Sequence, residues 1–388
     1  MRPGSIFLAV FAACALWLVE PLAAWSAESD AGPGAARVIV LSGEAKAGGQ
    51  ALKVGGIVAA GDEITSERVS YLTLEFGDRS TVRIGPDSRL RIEAHRAASA
   101  RGEFETLLRL DTGTLEASVA RRRAPGFSIA TPLGRITARG ADIRVRGGEE
   151  ALLVEVLEGS VVVAGAHARG GVTVDAGYGT RVKPNEAPLA PVRLLGAPDI
   201  TGIVELQHRP VVRLRFAPRA GAQRYRIVAA TDRELREVVV ENTQRRPDVR
   251  MVDLRDGEYY FGVRAIDALG LEGADARGRF RLKARPVPPA VQAPEPDAVL
   301  QPGSVTFSWA AADEALTYRF QLATDEDFAF AAPLVDRGGL AARQLVVEKL
   351  EAGLYYWHVA SVGPDGDEGP FGDPMMLTLQ APAPQPPQ

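Results

Sequence analysis

The sequence predicts an all-β protein of several modules, and three observations carry that prediction. Across 127–163 apolar and polar residues alternate with period two, through F-S-I-A-T-P-L-G-R-I-T-A-R-G-A-D-I-R-V and then L-L-V-E-V-L-E-G-S-V-V-V. That spacing lets a strand bury one face and wet the other. Gly and Asp turn signals cut most of the first half into short runs with no sustained helical period. The second half repeats itself, with strand-like segments recurring at a nearly constant offset.

Length and composition bound the reading. A chain of 388 residues holds two or three domains with ample core. Net charge is -4, so no global field favours nucleic acid as a partner. Only five of the 45 basic residues are Lys (46, 53, 183, 283, 349), leaving 40 Arg, which reads as the imprint of a GC-rich genome.

Residues 1–27 read as an export signal. Arg2 supplies the positive end, 6–19 the apolar core, and 23–27 small residues for cleavage after Ser26 or Ala27. The one cysteine, Cys14, lies inside that signal, so the mature chain is expected to lack thiols. Acylation at Cys14 is the weaker alternative, because Phe11 suits a lipobox poorly and the apolar run continues past the cysteine. No later segment approaches the ~20 apolar residues a spanning helix needs. Residues 28–36 read as a disordered lead-in.

Within 37–186, Thr131-Pro132 and Arg139-Gly140 are expected to break the alternating segment into short strands. Gly147-Gly148 and Glu158-Gly159 are expected to mark tight reversals. Residues 94–105 are the best helix or loop candidate. Further turn signals are Gly61-Asp62, Gly77-Asp78, Gly113 and Gly177. In order, the chain carries L-S-G at 41–43, V-G-G at 54–56, A-G-D at 60–62 and L-T-L-E-F-G-D-R-S at 72–80. L-R-L-D-T-G-T-L at 108–115, Thr131-Pro132, Arg139-Gly140, L-E-G-S-V at 157–161 and D-A-G at 175–177 complete the set. This ordered set resembles FecR-type periplasmic domains over 36–181. Ala141 departs from the Thr usual after the Arg-Gly of that family.

Residues 187–200 read as a linker, with Pro188 and Pro191 following Pro184. Beyond it, Phe216, Tyr225 and Thr231-Asp232 answer to Trp309, Tyr318 and Thr324-Asp325, each at an offset of 93 (309 − 216, 318 − 225, 324 − 231). Gly257-Glu258-Tyr259-Tyr260-Phe261 answers to Gly353-Leu354-Tyr355-Tyr356-Trp357 at an offset of 96 (353 − 257). The repeats occupy 201–285 and 298–380, a Pro-rich linker at 286–297 separates them, and the Pro/Gln-rich tail at 381–388 is not expected to fold. Through Leu-x-x-Gly-x-Tyr at 254–259 and 350–355, each repeat resembles a fibronectin type III domain, an Ig-like β-sandwich. The resemblance implies that the Tyr259 and Tyr355 hydroxyls tie back to the preceding corner and that Trp309 is a buried core indole.

No catalytic or metal-binding pattern stands out. The four histidines (95, 167, 208, 358) lack ligand spacing, and His358 reads as a packed or surface residue. The carboxylates of 365–373 could chelate calcium in principle, but the order of ligands is wrong, so a solvated loop is the better reading. Signatures of a nucleophile or a phosphate loop are wanting. No cofactor and no enzymatic activity are expected.

Candidate partner-binding residues are Arg121-Arg122-Arg123, read in the first place as a charged hairpin tip guarding a strand edge, and the outward tyrosines Tyr260 and Tyr356. The FecR resemblance implies reception of a signal from an outer-membrane transporter and relay to a sigma factor. That relay needs a cytoplasmic helical domain and a spanning helix, which the sequence does not offer. The expectation is therefore a non-catalytic periplasmic protein-binding or scaffold module of the Gram-negative envelope, its partner an envelope protein or cell-wall polymer. The alternatives are binding of cell-wall carbohydrate and a part in transmembrane signalling.

Overall fold

A computed structural model describes residues 34–97, 104–121, 126–167, 170–328 and 332–381, and every regular element among them is a strand. The export signal, Cys14, Arg122, Arg123 and the tail beyond residue 381 lie outside the described residues.

The first module contains β1 (Ala35–Ser42), β2 (Ala45–Ala47), β3 (Gln50–Ala51), β4 (Ile57–Ala59), β5 (Glu63–Ser66), β6 (Tyr71–Phe76), β7 (Thr81–Ile84), β8 (Arg89–Ala97), β9 (Phe104–Ser118), β10 (Phe127–Thr131), β11 (Gly134–Gly147), β12 (Leu152–Gly165), β13 (Gly171–Asp175), β14 (Tyr178–Val182) and β15 (Val192–Arg193). Its main path runs β15-β14-β12-β11-β10-β9-β7-β6-β1-β4. Strand β9 pairs β8 and β10 through its first half, then β7 and β11 through its second. The change of partners falls at Gly113, where φ is +102° and a Cβ would overlap Ser88. The curled sheet thereby encloses one core reaching from Ala36 to Val182.

Several local expectations need correction. Residues 94–97 and 104–105 belong to β8 and β9, not to a helix or loop, because His95 turns inward beside Thr106. Strand β11 runs unbroken through Arg139-Gly140, and β12 through Glu158-Gly159. The two glycine sites face each other as a bulge, with the register shifting between Ala138 and Ala141 and Ala141 opposite Gly159. Gly140 (φ +95°) and Gly159 (φ +74°) supply the positive φ that lets two long strands bend together instead of reversing. Strands β9 and β10 run parallel, so they do not form a hairpin and Arg121 is not a hairpin tip. The 187–200 segment is pinned: β15 pairs β14, the Leu195 carbonyl accepts the Ala274 N–H, and Asp199 bridges Ala217.

The first sandwich comprises β16 (Leu206–Gln207), β17 (Val212–Arg215), β18 (Arg224–Ala230), β19 (Val238–Gln244), β20 (Asp248–Met251), β21 (Gly257–Ile266) and β22 (Ala276–Leu282). The second comprises β23 (Val291–Ala293), β24 (Ala298–Leu300), β25 (Gly303–Trp309), β26 (Thr317–Ala323), β27 (Val335–Leu340), β28 (Gln344–Leu350), β29 (Gly353–Val362), β30 (Glu368–Phe371) and β31 (Met375–Leu379). In each, one sheet follows the order β22-β21-β18-β19 or β31-β29-β26-β27, and the opposing sheet contains β17-β20 or β23-β25-β28. This is the strand order of a fibronectin type III sandwich. Strand β23 lies inside the expected 286–297 linker, so the second sandwich begins earlier than the prolines suggest. Separate cores fill the two sandwiches, one from Val212 to Ala284 and one from Val305 to Leu379.

Candidate functional site

The most densely charged place in the described structure lies where the first module meets the first sandwich. Strand alternation aims Arg144 and Arg146 of β11 out of the first core, since Ile143 and Val145 point into it. The same rule aims Arg226 of β18 and Arg264 of β21 away from the sandwich core. The two polar faces meet each other instead of water. Arg144 is 5% exposed, Arg264 11% and Glu272 2%. The expectation that the polar face of 127–163 is wet therefore fails around Arg144, Arg146 and Glu155, where a neighbouring module covers it.

Ion pairs and hydrogen bonds cross this junction. Arg264 donates to Glu116 at 2.7 Å and to Glu272 at 3.0 Å, and also pairs Asp275. Arg144 reaches Asp275 at 3.2 Å and donates to the Gly273 carbonyl at 2.8 Å. Arg146 pairs Glu272, Arg83 donates to the Leu235 carbonyl at 2.6 Å, and the Tyr71 hydroxyl meets Glu241. The Glu272 N–H donates to Glu155 at 3.0 Å. Between these groups remains a cavity of about 40 Å³, bordered by Glu155, Arg144, Arg226 and Arg264.

Environment sorts the acids into two kinds. Burial pushes Glu116 up, but the guanidinium groups of Arg264, Arg83 and Arg144 outweigh it and hold the carboxyl far below the usual range. Burial also opposes ionisation of Glu272 and Asp275, and the surrounding arginines again prevail. Glu155 goes the other way. Burial and the neighbouring Glu272 carboxylate raise it, and no ion pair within 4.0 Å offsets them among the described residues. Burial and Glu272 likewise push Glu241 up to about 7, although Arg226 donates to it at 2.6 Å. Among the described residues no group of three His, Cys, Asp or Glu could hold a metal. Matched charges from the two modules meet across the junction.

The residues singled out in the sequence sit elsewhere. Asp62 accepts the Ala59 N–H at 3.0 Å beside Gly61 (φ +99°). The Gly77 N–H donates to His95 Nε2 at 3.3 Å, which leaves Nδ1 to donate to Thr106 at 3.0 Å. Asp78 accepts from the Ser80 N–H and hydroxyl. Thr131 closes the turn through Pro132 by donating to the Gly134 carbonyl at 3.0 Å. Arg139 is exposed, and Gly177 (φ +82°) donates to the Val156 carbonyl. Exposed Arg121 packs across Gly140, where a Cβ would strike it. Trp309 is buried, edge-on to Tyr318 and stacked on Phe320.

The repeat is exact in its hydrogen bonding. Tyr259 donates to the Arg255 carbonyl at 2.8 Å and Tyr355 to the Glu351 carbonyl at 3.1 Å. Tyr225 accepts the Arg219 N–H and Tyr318 the Ala312 N–H, again at matched positions. Tyr260 and Tyr356 are half-buried on the faces opposite those tyrosines. His358 lies between Phe328 and Phe371 with ring centroids at 3.7 and 4.0 Å, and burial pulls it down to about 4. Asp367 pairs Lys283 at 2.6 Å.

Sequence reasoning missed the junction, although one signal was available. At the offset of 96, Arg264 answers to Ala360 (360 − 264) and Asp275 to Phe371 (371 − 275). The added charges belong to the one repeat that meets the first module, whereas Arg226 and Glu272 recur as Arg319 and Glu368.

The family match with known proteins falls within the first module. Residues 62–162 match the family model described as FecR protein. No curated protein matches the chain. One similar solved structure is described as an anti-sigma factor from Parabacteroides distasonis, 17% identical over 34% of this chain and 59% of that one, with a TM-score of 0.29. This chain thus spans under two thirds of that protein's length. Another is the FN1–FN3 region of chicken CNTN1, 13% identical over 61% of this chain and 98% of that one, TM-score 0.25. The fibronectin(III)-like modules of Clostridium thermocellum CbhA are 10% identical over 47% and 92%, TM-score 0.20. On the family match, the strand order and the paired tyrosine corners, the chain carries a FecR domain over residues 62–162, followed by two fibronectin type III-like sandwiches.

Proposed function

We propose that this chain is a non-catalytic, exported adaptor of the Gram-negative envelope, in which the FecR domain is the partner-binding unit and the first sandwich is its fixed mount. The charged junction is the observation that carries the reading. It uses arginines and acids from both modules to set one orientation, and matched charges fix register and partner choice more than they add stability.

A mounted sheet module offers strand edges to a partner. Strand β4 pairs β1 alone among the described residues, and Ile57 on it is 50% exposed beside Val54 at 62%. A partner strand added there would gain main-chain hydrogen bonds and an apolar contact. The tandem sandwiches space that unit from whatever the C-terminal end meets. Among the described residues no helix is long and apolar enough to cross a membrane.

The test is site-specific photo-crosslinking in intact cells of the source organism, with the reactive group at Ile57 and, for comparison, at Arg215 on the first sandwich. The expected result is a discrete adduct with an envelope protein from Ile57 alone, lost when the neighbouring Val54 becomes Lys. No adduct from Ile57, or equal adducts from both positions, would refute the adaptor role.

A further inference from the structure

The polar face of the first sandwich extends past the FecR domain, and its open end has a different composition. Strand β21 contributes Glu258 and Tyr260 there, and β22 contributes Arg277, Arg279 and Arg281 at alternate positions. Alternate residues of a strand project from one face about 6.6 Å apart. Tyr260 stands directly opposite Arg279, and Gly262 opposite Arg277. Gly262 has no side chain, and the buried Leu235 fills the space over it on the flank of Tyr260 nearest the junction. Arg233, on the loop between β18 and β19, closes the remaining side. Together with Glu205, the side chains of Arg233, Tyr260, Arg277 and Arg279 border a groove of about 630 Å³.

The arginines in this groove are weakly engaged. Arg279 is 62% exposed and 3.9 Å from Glu205, itself 73% exposed. Arg277 is 54% exposed and reaches Asp275 at 3.6 Å, but that carboxylate is already held by Arg264 and Arg144. Such solvated pairs contribute little and exchange readily for a better anion. The second sandwich supplies an internal contrast. Tyr356 occupies the place of Tyr260, yet it faces Met376, and the whole of β31, Met-Met-Leu-Thr-Leu, carries no charge. A basic row beside the aromatic is a property of the first sandwich alone.

We infer that this groove binds an acidic polysaccharide, with the Tyr260 ring under a sugar face and Arg233, Arg277 and Arg279 gripping carboxylates along the chain. Planar guanidinium forks match carboxylates in two-point contacts, and an amphipathic phenol offers a rigid platform to a ring whose edges stay wet. Regular spacing along β22 suits a ligand whose charges recur. A nucleic acid would call for successive aromatic platforms, whereas of the two aromatic residues bordering the groove Tyr260 is accessible and Phe261 is buried. This inference does not depend on the adaptor reading.

The experiment is titration calorimetry of the full mature chain with a polygalacturonate oligomer. Dextran, polyphosphate and single-stranded DNA serve as comparison probes. Polygalacturonate is expected to bind. Arg279→Gln and Tyr260→Ala should each weaken it about tenfold, the loss of one charged or stacking contact, with thermal unfolding unchanged. Tyr356→Ala should leave the affinity as it is. No binding, equal binding of polyphosphate and DNA, or indifference to Tyr260→Ala would each overturn the assignment. None of these results bears on the crosslinks from Ile57, so the two readings stand or fall separately.

Discussion

Arg144 of the FecR domain lies 3.2 Å from Asp275 of the first sandwich, although their positions are 131 residues apart (275 − 144). Arg144 leaves the polar face of β11 and Asp275 stands just before β22, and both are largely buried where the two modules close on each other. The relationship turns two modules that sequence reads as beads on a string into one unit.

Arg264 is the hub of that unit, touching Glu116, Glu272 and Asp275. Its replacement by Ala leaves three acids short of a partner, one of them 2% exposed. The expected cost is about 3–5 kcal/mol, the range for breaking a buried charge pair from one side. Urea unfolding should show the FecR domain and first sandwich melting together in the parent chain. In the variant their transitions should separate.

The junction should also respond to pH in two directions. Glu116, Glu272 and Asp275 are held below their ordinary values, so their contribution is present above about pH 4.5 and is lost as pH falls through the depressed range. Glu155 is raised, so it opposes folding increasingly as pH climbs from about 4.5 through its elevated value. Glu155→Gln is therefore expected to raise the melting temperature at pH 8 and to change it little at pH 5. Melting curves at the two pH values check this, and an equal effect at both would contradict it.

The tyrosine corners should carry equal weight in the two repeats. Tyr259→Phe and Tyr355→Phe each remove one hydroxyl that donates to a carbonyl four residues back. Each should cost about 0.5–1.5 kcal/mol, read from the unfolding of its own sandwich, and neither should disturb the FecR domain.

The facing glycines of the β11–β12 bulge offer a matched comparison. Ala at Gly159 would adopt a positive φ and overlap the Gly140 carbonyl, whereas Ala at Gly177 meets the same φ penalty with nothing within 4 Å. The Gly177→Ala change is expected to cost about 1–2 kcal/mol. Gly159→Ala should cost clearly more, as measured by thermal unfolding of the FecR domain.

These comparisons also show what was legible in the chain. The corners could be read because Leu-x-x-Gly-x-Tyr at 254–259 and 350–355 resembles the fibronectin type III run that implies them. Strand character at 127–163 could be read from alternation. The bulge could not, since Arg139-Gly140 and Glu158-Gly159 look like turn signals until the two strands are seen side by side. The helix or loop expected at 94–105 failed where His95, a buried imidazole satisfied by Gly77 and Thr106, turns out to be core. The junction was hidden because its members extend from Tyr71 to Asp275 and meet only in three dimensions. An abundance of arginine put down to genome composition concealed the few that are buried.

The most direct test of the account is a double-mutant cycle on Glu116 and Arg264, which meet at 2.7 Å across the two modules. Each residue is changed to Ala singly and together in the full chain, and unfolding free energies are compared. If the modules are docked as described, the pair should show a coupling of about 1.5 kcal/mol or more. Additivity to within about 0.5 kcal/mol would contradict the docking.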